Sequence, residues 1–166
     1  MKAVVTRVKH ASVEIEGRIN GQIGCGFLVL LGVGPDDTQQ DAALLADKVC
    51  GCRVFEDENG KMNKNLQSVG GELLIVSQFT LYADLKSRRP GFSNAAKPDI
   101  AIPLYQQFMV ECEKLGFHVE HGEFGADMQV DSLNDGPITL LFDSKDWHKN
   151  KKRGIYRVYK EISYET

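Results

Sequence analysis

Hydrophobic and polar residues alternate loosely over residues 2–8 and cleanly over Ser12-Val13-Glu14-Ile15-Glu16, which ends at Gly17. Alternation places apolar side chains on one face of a strand, so these two stretches predict an opening β-hairpin. Gly26-Phe27-Leu28-Val29-Leu30-Leu31-Gly32-Val33 is instead apolar throughout between glycines, the pattern of a buried strand. Gly34-Pro35-Asp36-Asp37 breaks it. Thr38, three residues ahead of Asp41, marks a capping box, and Ala42, Leu45, Ala46 and Val49 share one face of a helix running to about Cys50. Arg53-Val54-Phe55-Glu56 predicts a strand entering the Glu58-Asn59-Gly60 turn. The strongest β segment, Glu72-Leu73-Leu74-Ile75-Val76, follows Gly70-Gly71 and runs into Ser77-Gln78-Phe79-Thr80-Leu81. Residues 83–98 hold Pro90, Gly91 and Pro98 among Lys86, Arg88 and Arg89, which predicts a long basic loop. Asp99 is placed to cap a second helix, whose Leu104, Phe108, Cys112 and Leu115 fall at helical spacing before Gly116. Strands are predicted at about 117–121 and 128–133. A turn at Asn134-Asp135-Gly136-Pro137 then leads to a last core strand, Ile138–Phe142.

Many short strands with two separate helices predict an α+β fold, a curved, barrel-like sheet flanked by helices, because the helices are too few for a βαβ repeat. A length of 166 residues suits one domain with a proper core. No stretch approaches the ~18–20 apolar residues that a membrane helix needs. Met1-Lys2-Ala3-Val4-Val5 is interrupted by Arg7, Lys9 and His10, so no signal peptide is expected and the expected location is cytoplasmic. The cysteines, Cys25, Cys50, Cys52 and Cys112, include a C-x-C pair that nothing nearby completes to four ligands. Reduced, mostly buried thiols are the expectation. The net charge of −3 argues against binding nucleic acid through a global field but leaves room for a local basic patch. His10, His118, His121 and His148 neither pair at metal spacing nor adjoin a nucleophile, and there is no G-x-S-x-G, H-E-x-x-H or phosphate-binding loop. No metal and no cofactor are expected, and the chemistry is limited to reactions needing modest activation.

Two motifs remain. On a strand, Ser77 and Phe79 point one way and Gln78 and Thr80 the other. The plain reading is a core strand surfacing at its end. The functional one is a rigid strand end that offers backbone N–H groups to the oxyanion of ester hydrolysis. Thr80 would need a base to act as a nucleophile, and neither motif holds a histidine, lysine or carboxylate apart from Asp135. In Asn134-Asp135-Gly136-Pro137-Ile138-Thr139, Asp-Gly is a hairpin-turn signal. A residue without a side chain also precedes the one residue that tolerates a cis peptide, which suits recognition by backbone atoms.

S-Q-F-T at Ser77–Thr80 followed by N-x-G-P-x-T at Asn134–Thr139, in a chain of this length and element order, resembles the D-aminoacyl-tRNA deacylases. The resemblance covers most of the first 145 residues. It implies an antiparallel β-barrel flanked by helices that works as an obligate homodimer. Gly136-Pro137 of one subunit, joined by a cis bond, would enter the active site of the other. Its carbonyl oxygens would engage the amino group and Cα of the aminoacyl ester. An L side chain collides with that backbone and a D side chain points to solvent, so selectivity comes from rejection, and glycine leaks through. The reaction is hydrolysis of the ester joining a D-amino acid to the terminal ribose of tRNA, with the neighbouring 2′-hydroxyl assisting. Ser77, Gln78, Phe79 and Thr80 form the implied catalytic set. Arg7 would brace the Gly-Pro carbonyls, and Asn134 and Thr139 would support them. Lys86, Arg88 and Arg89 are the implied tRNA-phosphate contacts, and Phe124 and Met128 the apolar surface for the terminal adenine.

The implied partner is aminoacyl-tRNA, with neither DNA nor a membrane. Two alternatives stay open: a sister deacylase clearing L-alanine from threonine tRNA, which carries threonine where this chain has Ser77, and a non-catalytic RNA-binding barrel. The deacylase domain is expected over 1–145. Residues 146–166 depart from the family as a basic extension of the same domain, with Trp147, His148, Lys149, Lys151, Lys152, Arg153 and Arg157. In it, Tyr156-Arg157-Val158-Tyr159 reads as a strand.

Overall fold

The computed structural model describes residues 1–148. Its frame is β1 (Lys2–Ile15), a single strand of 14 residues where alternation predicted two paired ones. The reversal comes later, at Glu16 and Gly17, both at positive φ, and leads into β2 (Arg18–Ile23). One edge of β1 is shared: its first half pairs with β3 (Gly26–Gly32) and its second half with β2, both antiparallel. β8 (Gln129–Asp143) runs antiparallel along the other edge from end to end. The polar interruption at Lys9 and His10 is therefore a place where β1 changes neighbours, and both residues are exposed there.

β8 is also one strand where two and a turn were expected. Its register against β1 moves from Thr6↔Thr139 to Val8↔Asn134, so Asp135–Ile138 bulge out opposite Arg7. A bulge bends a strand and adds twist without reversing it, which is how Gly136-Pro137 sits inside a ladder instead of at a hairpin tip.

The α+β class holds, with the sheet mixed where the resemblance implied an antiparallel one. β6 (Glu72–Ser77) runs parallel to β3, and β7 (Val119–His121) runs parallel to β6. Parallel neighbours need a crossover, and α1 (Gln39–Cys50) and α2 (Pro98–Lys114) lie in those two connections. Asn20 Nδ2 donates to the His121 carbonyl at 2.7 Å, drawing β2 toward β7 so that the curved sheet nearly closes. β4 (Phe55–Glu56) and β5 (Met62–Lys64) form a separate short ribbon, so the predicted strand at Arg53–Glu56 shrinks to its second half.

The predicted helix face is the observed one. Ala42, Leu45, Ala46 and Val49 of α1 are fully buried and join Leu104, Phe108 and Cys112 of α2 over Phe27, Val29, Leu73 and Ile75. Leu115 is exposed, because α2 has ended. α2 begins with Pro98 after Lys97, so Asp99 lies in its first turn rather than at the cap, Pro being suited to a position whose N–H has no partner. Cys50 and Cys112 are free thiols facing each other across α1 and α2, Sγ to Sγ 3.8 Å.

The capping box forms: the Thr38 amide donates to Asp41 at 2.9 Å. Asp41 also holds the C-terminal side of the described chain. It accepts from the Ser144 hydroxyl at 2.7 Å and meets His148 Nε2 at 2.6 Å, on a third, unpredicted helix, α3 (Lys145–His148). Burial opposes charge on Asp41, but the hydrogen bonds from His148, Ser144 and Thr38 outweigh it and hold the carboxyl well below its ordinary range. The basic run from Lys149 and the strand expected at Tyr156–Tyr159 lie outside the described residues. Among the described residues, no helix is long and apolar enough to cross a membrane.

Candidate active site

β6 lies between β3 and β7 with Leu73, Leu74, Ile75 and Val76 buried, and Ser77 is its last residue, opposite Leu31 of β3. The Gln78 amide still donates to the Leu31 carbonyl at 2.8 Å. There the strand stops. Phe79–Tyr82 form a 3-10 turn, with Leu81 N donating to Gln78 O at 3.2 Å and Ala83 N to Thr80 O at 3.1 Å. The strand alternation expected of Phe79 and Thr80 is thus replaced by a turn, and the cause is packing beneath it. A Cβ on Gly32 would stand 3.0 Å from the Gln78 carbonyl and 3.1 Å from Leu81 Cβ. Bare backbone at Gly32 lets the turn settle onto the sheet. Tyr82 is buried and its hydroxyl donates to Asp37 at 3.4 Å.

The turn has a chemical consequence. The first N–H groups of a helical turn have no carbonyl behind them to bond. Among the described residues, the amides of Phe79 and Thr80 make no hydrogen bond. Gln78 Nε2 donates to Thr80 Oγ1, so that hydroxyl is engaged by an amide and not by a base.

Ser77, Gln78 and Phe79 line one side of a cavity of about 320 Å³, and Tyr105, Phe124 and Met128 line others. Tyr105 donates to the Ile75 carbonyl at 3.1 Å, and burial pushes its phenol up to about 12, so it stays neutral. Sequence reasoning had no signal for Tyr105 as a wall of this cavity, because its neighbour Leu104 marks the same helix face as core.

The second motif is held by side chains. The Asn134 carboxamide accepts from the Ile138 amide at 3.1 Å and donates to Thr139 Oγ1 at 3.3 Å, closing the bulge on itself. Arg7 is buried beneath it and donates through Nε to the Asp135 carbonyl at 3.0 Å, and through Nη1 to the Val54 carbonyl. It therefore holds the residue before Gly136 rather than the Gly136 or Pro137 carbonyl. Asp135 adds a charge partner, its Oδ2 3.5 Å from Arg7 Nε. The Gly136–Pro137 peptide is cis, Gly136 has φ +130°, and both residues are exposed. A Cβ on Gly136 would lie 2.8 Å from Ile138 Cγ1 and 3.1 Å from Arg7 Nη2.

The two motifs do not meet within one chain. Between them lie β1 and β3, roughly 14 Å of strand spacing, and about four residues of offset along the strands, roughly 13 Å. The fold unites Ser77–Phe79 with Phe124 and Met128, and separately unites Arg7, Asn134 and Thr139 with Gly136-Pro137. Lys86, Arg88 and Arg89 stand exposed on the loop between Tyr82 and α2. His118 lies 3.1 Å from Glu120 and 3.8 Å from Glu72, while His121 turns to the Gly122 carbonyl, so the two histidines are engaged separately.

The family model described as D-Tyr-tRNA(Tyr) deacylase matches residues 4–143. A D-aminoacyl-tRNA deacylase of Thermosipho africanus is 58% identical over 146 residues, which is 87% of this chain and 98% of that protein. Its counterpart in Thermus aquaticus is 53% identical over 152 residues, 91% of this chain and all of the relative. Among solved structures, one described as c-Myc DNA Unwinding Element Binding Protein superposes with a TM-score of 0.82 at 41% identity, covering 86% of this chain and 98% of the other. The matched span holds both motifs and the strands that carry them, and the chain belongs to the D-Tyr-tRNA(Tyr) deacylase family, hydrolases that act on aminoacyl-tRNA ester bonds.

Proposed function

We propose that this chain removes D-amino acids, and also glycine, from the 3′-terminal ribose of tRNA, that it does so in the cytoplasm, and that it works as a two-fold homodimer with composite sites. The observation that carries this reading is the separation of the two motifs. Gly136-Pro137 is exposed and firmly held, yet stands away from the cavity of its own chain. It sits on β8, whose outer edge pairs with no strand among the described residues. That edge also carries exposed Val130, Leu133 and Leu141, the last 83% exposed. A long edge strand with open apolar side chains is a template for a second copy. An isologous pairing brings each Gly-Pro bulge to the other subunit's cavity.

In that composite site the terminal adenine rests against Phe124 and Met128, and the ester carbonyl faces the unbonded amides of Phe79 and Thr80. Water attacks the carbonyl carbon. The amides take the charge on the resulting oxyanion, which they stabilise most where charge is developing. Collapse breaks the bond to the ribose oxygen. The neighbouring 2′-hydroxyl passes its proton to the leaving ribose oxygen and takes one in return from the attacking water, so no side-chain base is required and Thr80 only orders Gln78. The partner's Gly-Pro backbone occupies the space an L side chain would need. Lys86, Arg88 and Arg89 hold phosphates. We take 1–145 as the catalytic unit and 146–166 as an extension of the same domain, whose described start meets α1 through His148 and Asp41.

The deciding experiment compares hydrolysis of D-Tyr-tRNA and L-Tyr-tRNA while sedimentation fixes the assembly state. A preference of about 100-fold or more for the D ester, in a dimer, is expected. Equal rates on the two esters, or a fully active monomer, would sink the reading.

A further inference from the structure

The loop between Tyr82 and α2 has more shape than its composition suggests. Asp84 and Gly91 exchange backbone hydrogen bonds of 2.7 and 2.9 Å, which closes residues 85–90 into a small tip. Within it the Lys86 amide donates to Asp84 Oδ1 at 3.0 Å, and the Ser87 hydroxyl donates to the Arg89 carbonyl at 2.7 Å. Lys86, Arg88 and Arg89 project from the tip exposed, and among the described residues none of them forms an ion pair. Phe92 follows directly after the closing bridge. Its ring meets Phe79 edge to face, with centroids 5.1 Å apart and planes at 74°. Such a contact stabilises both rings, yet Phe79 stays 54% and Phe92 41% exposed. Phe79 is at the same time a wall of the cavity.

Half-exposed aromatic rings beside unpartnered cations suit single-stranded nucleic acid, in which bases stack on the rings and phosphates pair with the cations. A protein partner would call for a wider apolar surface than these rings and the exposed Leu85, since Lys86, Ser87, Arg88 and Arg89 make up most of the tip. We propose that Phe92, propped by Phe79, is a stacking platform for the base next to the terminal nucleotide of a single-stranded RNA 3′ end. Lys86, Arg88 and Arg89 hold the phosphates that follow. The proposal rests on the deacylase reading for one thing only, that the terminal nucleotide lies in the cavity on the far side of Phe79.

The test compares the wild type with Phe92→Ala, Phe92→Leu and Phe92→Trp on D-Tyr-tRNA and on the D-Tyr ester of adenosine alone. Calorimetric binding of the trinucleotide CCA is measured in parallel. The alanine and leucine variants are expected to raise KM for D-Tyr-tRNA about tenfold with kcat kept, and to weaken CCA binding by a similar factor. Tryptophan restores both, and the adenosine ester, which has no second base, is turned over as by the wild type. Replacing Arg88 and Arg89 by glutamine lowers the salt slope of CCA binding by about 0.7 for each phosphate that is no longer neutralised. An equal loss on both esters would show that Phe92 only supports Phe79, and no loss on either would leave no platform; each result overturns the proposal. A wild type that binds CCA through Phe92 but hydrolyses neither ester keeps the platform and overturns the deacylase reading instead.

Discussion

Ser77–Thr80 and Asn134–Thr139 are both short polar stretches at the surface, and they are shaped by opposite means. The first ends a strand paired on both edges, and its turn is set from below by Gly32 and the buried Tyr82. Its own polar side chains do little beyond bonding each other, as Gln78 does with Thr80. The second stands on an edge strand whose residues are mostly exposed, and single side chains hold its backbone: Arg7 from beneath and Asn134 across the bulge. Where burial sets the backbone, exposed side chains can be exchanged with small effect. Where individual hydrogen bonds set it, each substitution is felt in geometry more than in stability.

Gly136→Ala should show the largest effect. The added methyl has no room between Ile138 and Arg7, at a φ that L side chains rarely adopt. Displacing the bulge by a fraction of an ångström is expected to lower kcat/KM on D-Tyr-tRNA by about 100-fold, with the melting temperature falling only a few degrees. Activity within twofold of wild type would remove Gly136 from the substrate's path.

Arg7→Met comes next. It leaves the half-buried Asp135 and buried Val54 carbonyls without their donor, which should destabilise the fold by about 2–3 kcal/mol in urea unfolding and lower activity roughly tenfold. Arg7→Lys should rescue little, since one ammonium cannot reproduce two donors fixed in a plane. Full activity in Arg7→Met would show that the bulge keeps its shape without side-chain support.

Thr80→Val tests the other region. Only the bond from Gln78 is lost, at about 1 kcal/mol, so turnover should fall no more than a few-fold. D-Tyr-tRNA ending in 2′-deoxyadenosine should be hydrolysed far more slowly than the ribose form. Abolished turnover in Thr80→Val, a trapped acyl-enzyme or fast cleavage of the deoxy substrate would each make Thr80 the nucleophile and dissolve the contrast.

The smallest effect at neutral pH concerns Asp41, whose hydrogen bonds go to Thr38, Ser144 and His148 and to neither motif. Its carboxyl titrates below the ordinary value of 3.8 in the folded chain. The stability it adds is therefore complete above about pH 4 and lost as pH falls further, because the unfolded chain binds that proton first. Asp41→Asn should flatten the acid limb of a stability–pH curve while changing kcat/KM at pH 7.5 less than twofold.

Local signals were legible where one short stretch decides its own form. The Thr38–Asp41 box and the apolar spacing after it placed α1 and its buried face, and the β6 run was equally plain. The long strands were not. Lys9 and His10 looked like an end to β1 and Gly136-Pro137 like a turn. β1 survives the first because β8 pairs with it on either side of Lys9, and β8 survives the second as a bulge because β1 pairs with it before and after Gly136-Pro137. The antiparallel expectation missed the two parallel pairings because direction depends on where helices return the chain. Phe124 and Met128 line the same cavity as Ser77–Phe79, while Tyr105 could be read only as core.

The sequence by itself determined the elements whose order is local, together with two motifs specific enough to mark the family. Only the tertiary structure decided that Phe79–Thr80 turn away from the strand with unbonded amides, that Arg7 grips Asp135 rather than the Gly-Pro pair, and that the two motifs stand apart in one chain. The reason is physical. A helix satisfies its backbone with residues four positions away, whereas a strand end, a bulge and a buried arginine take their partners from dozens to more than a hundred residues along the chain, as Arg7 does from Val54 and Asp135.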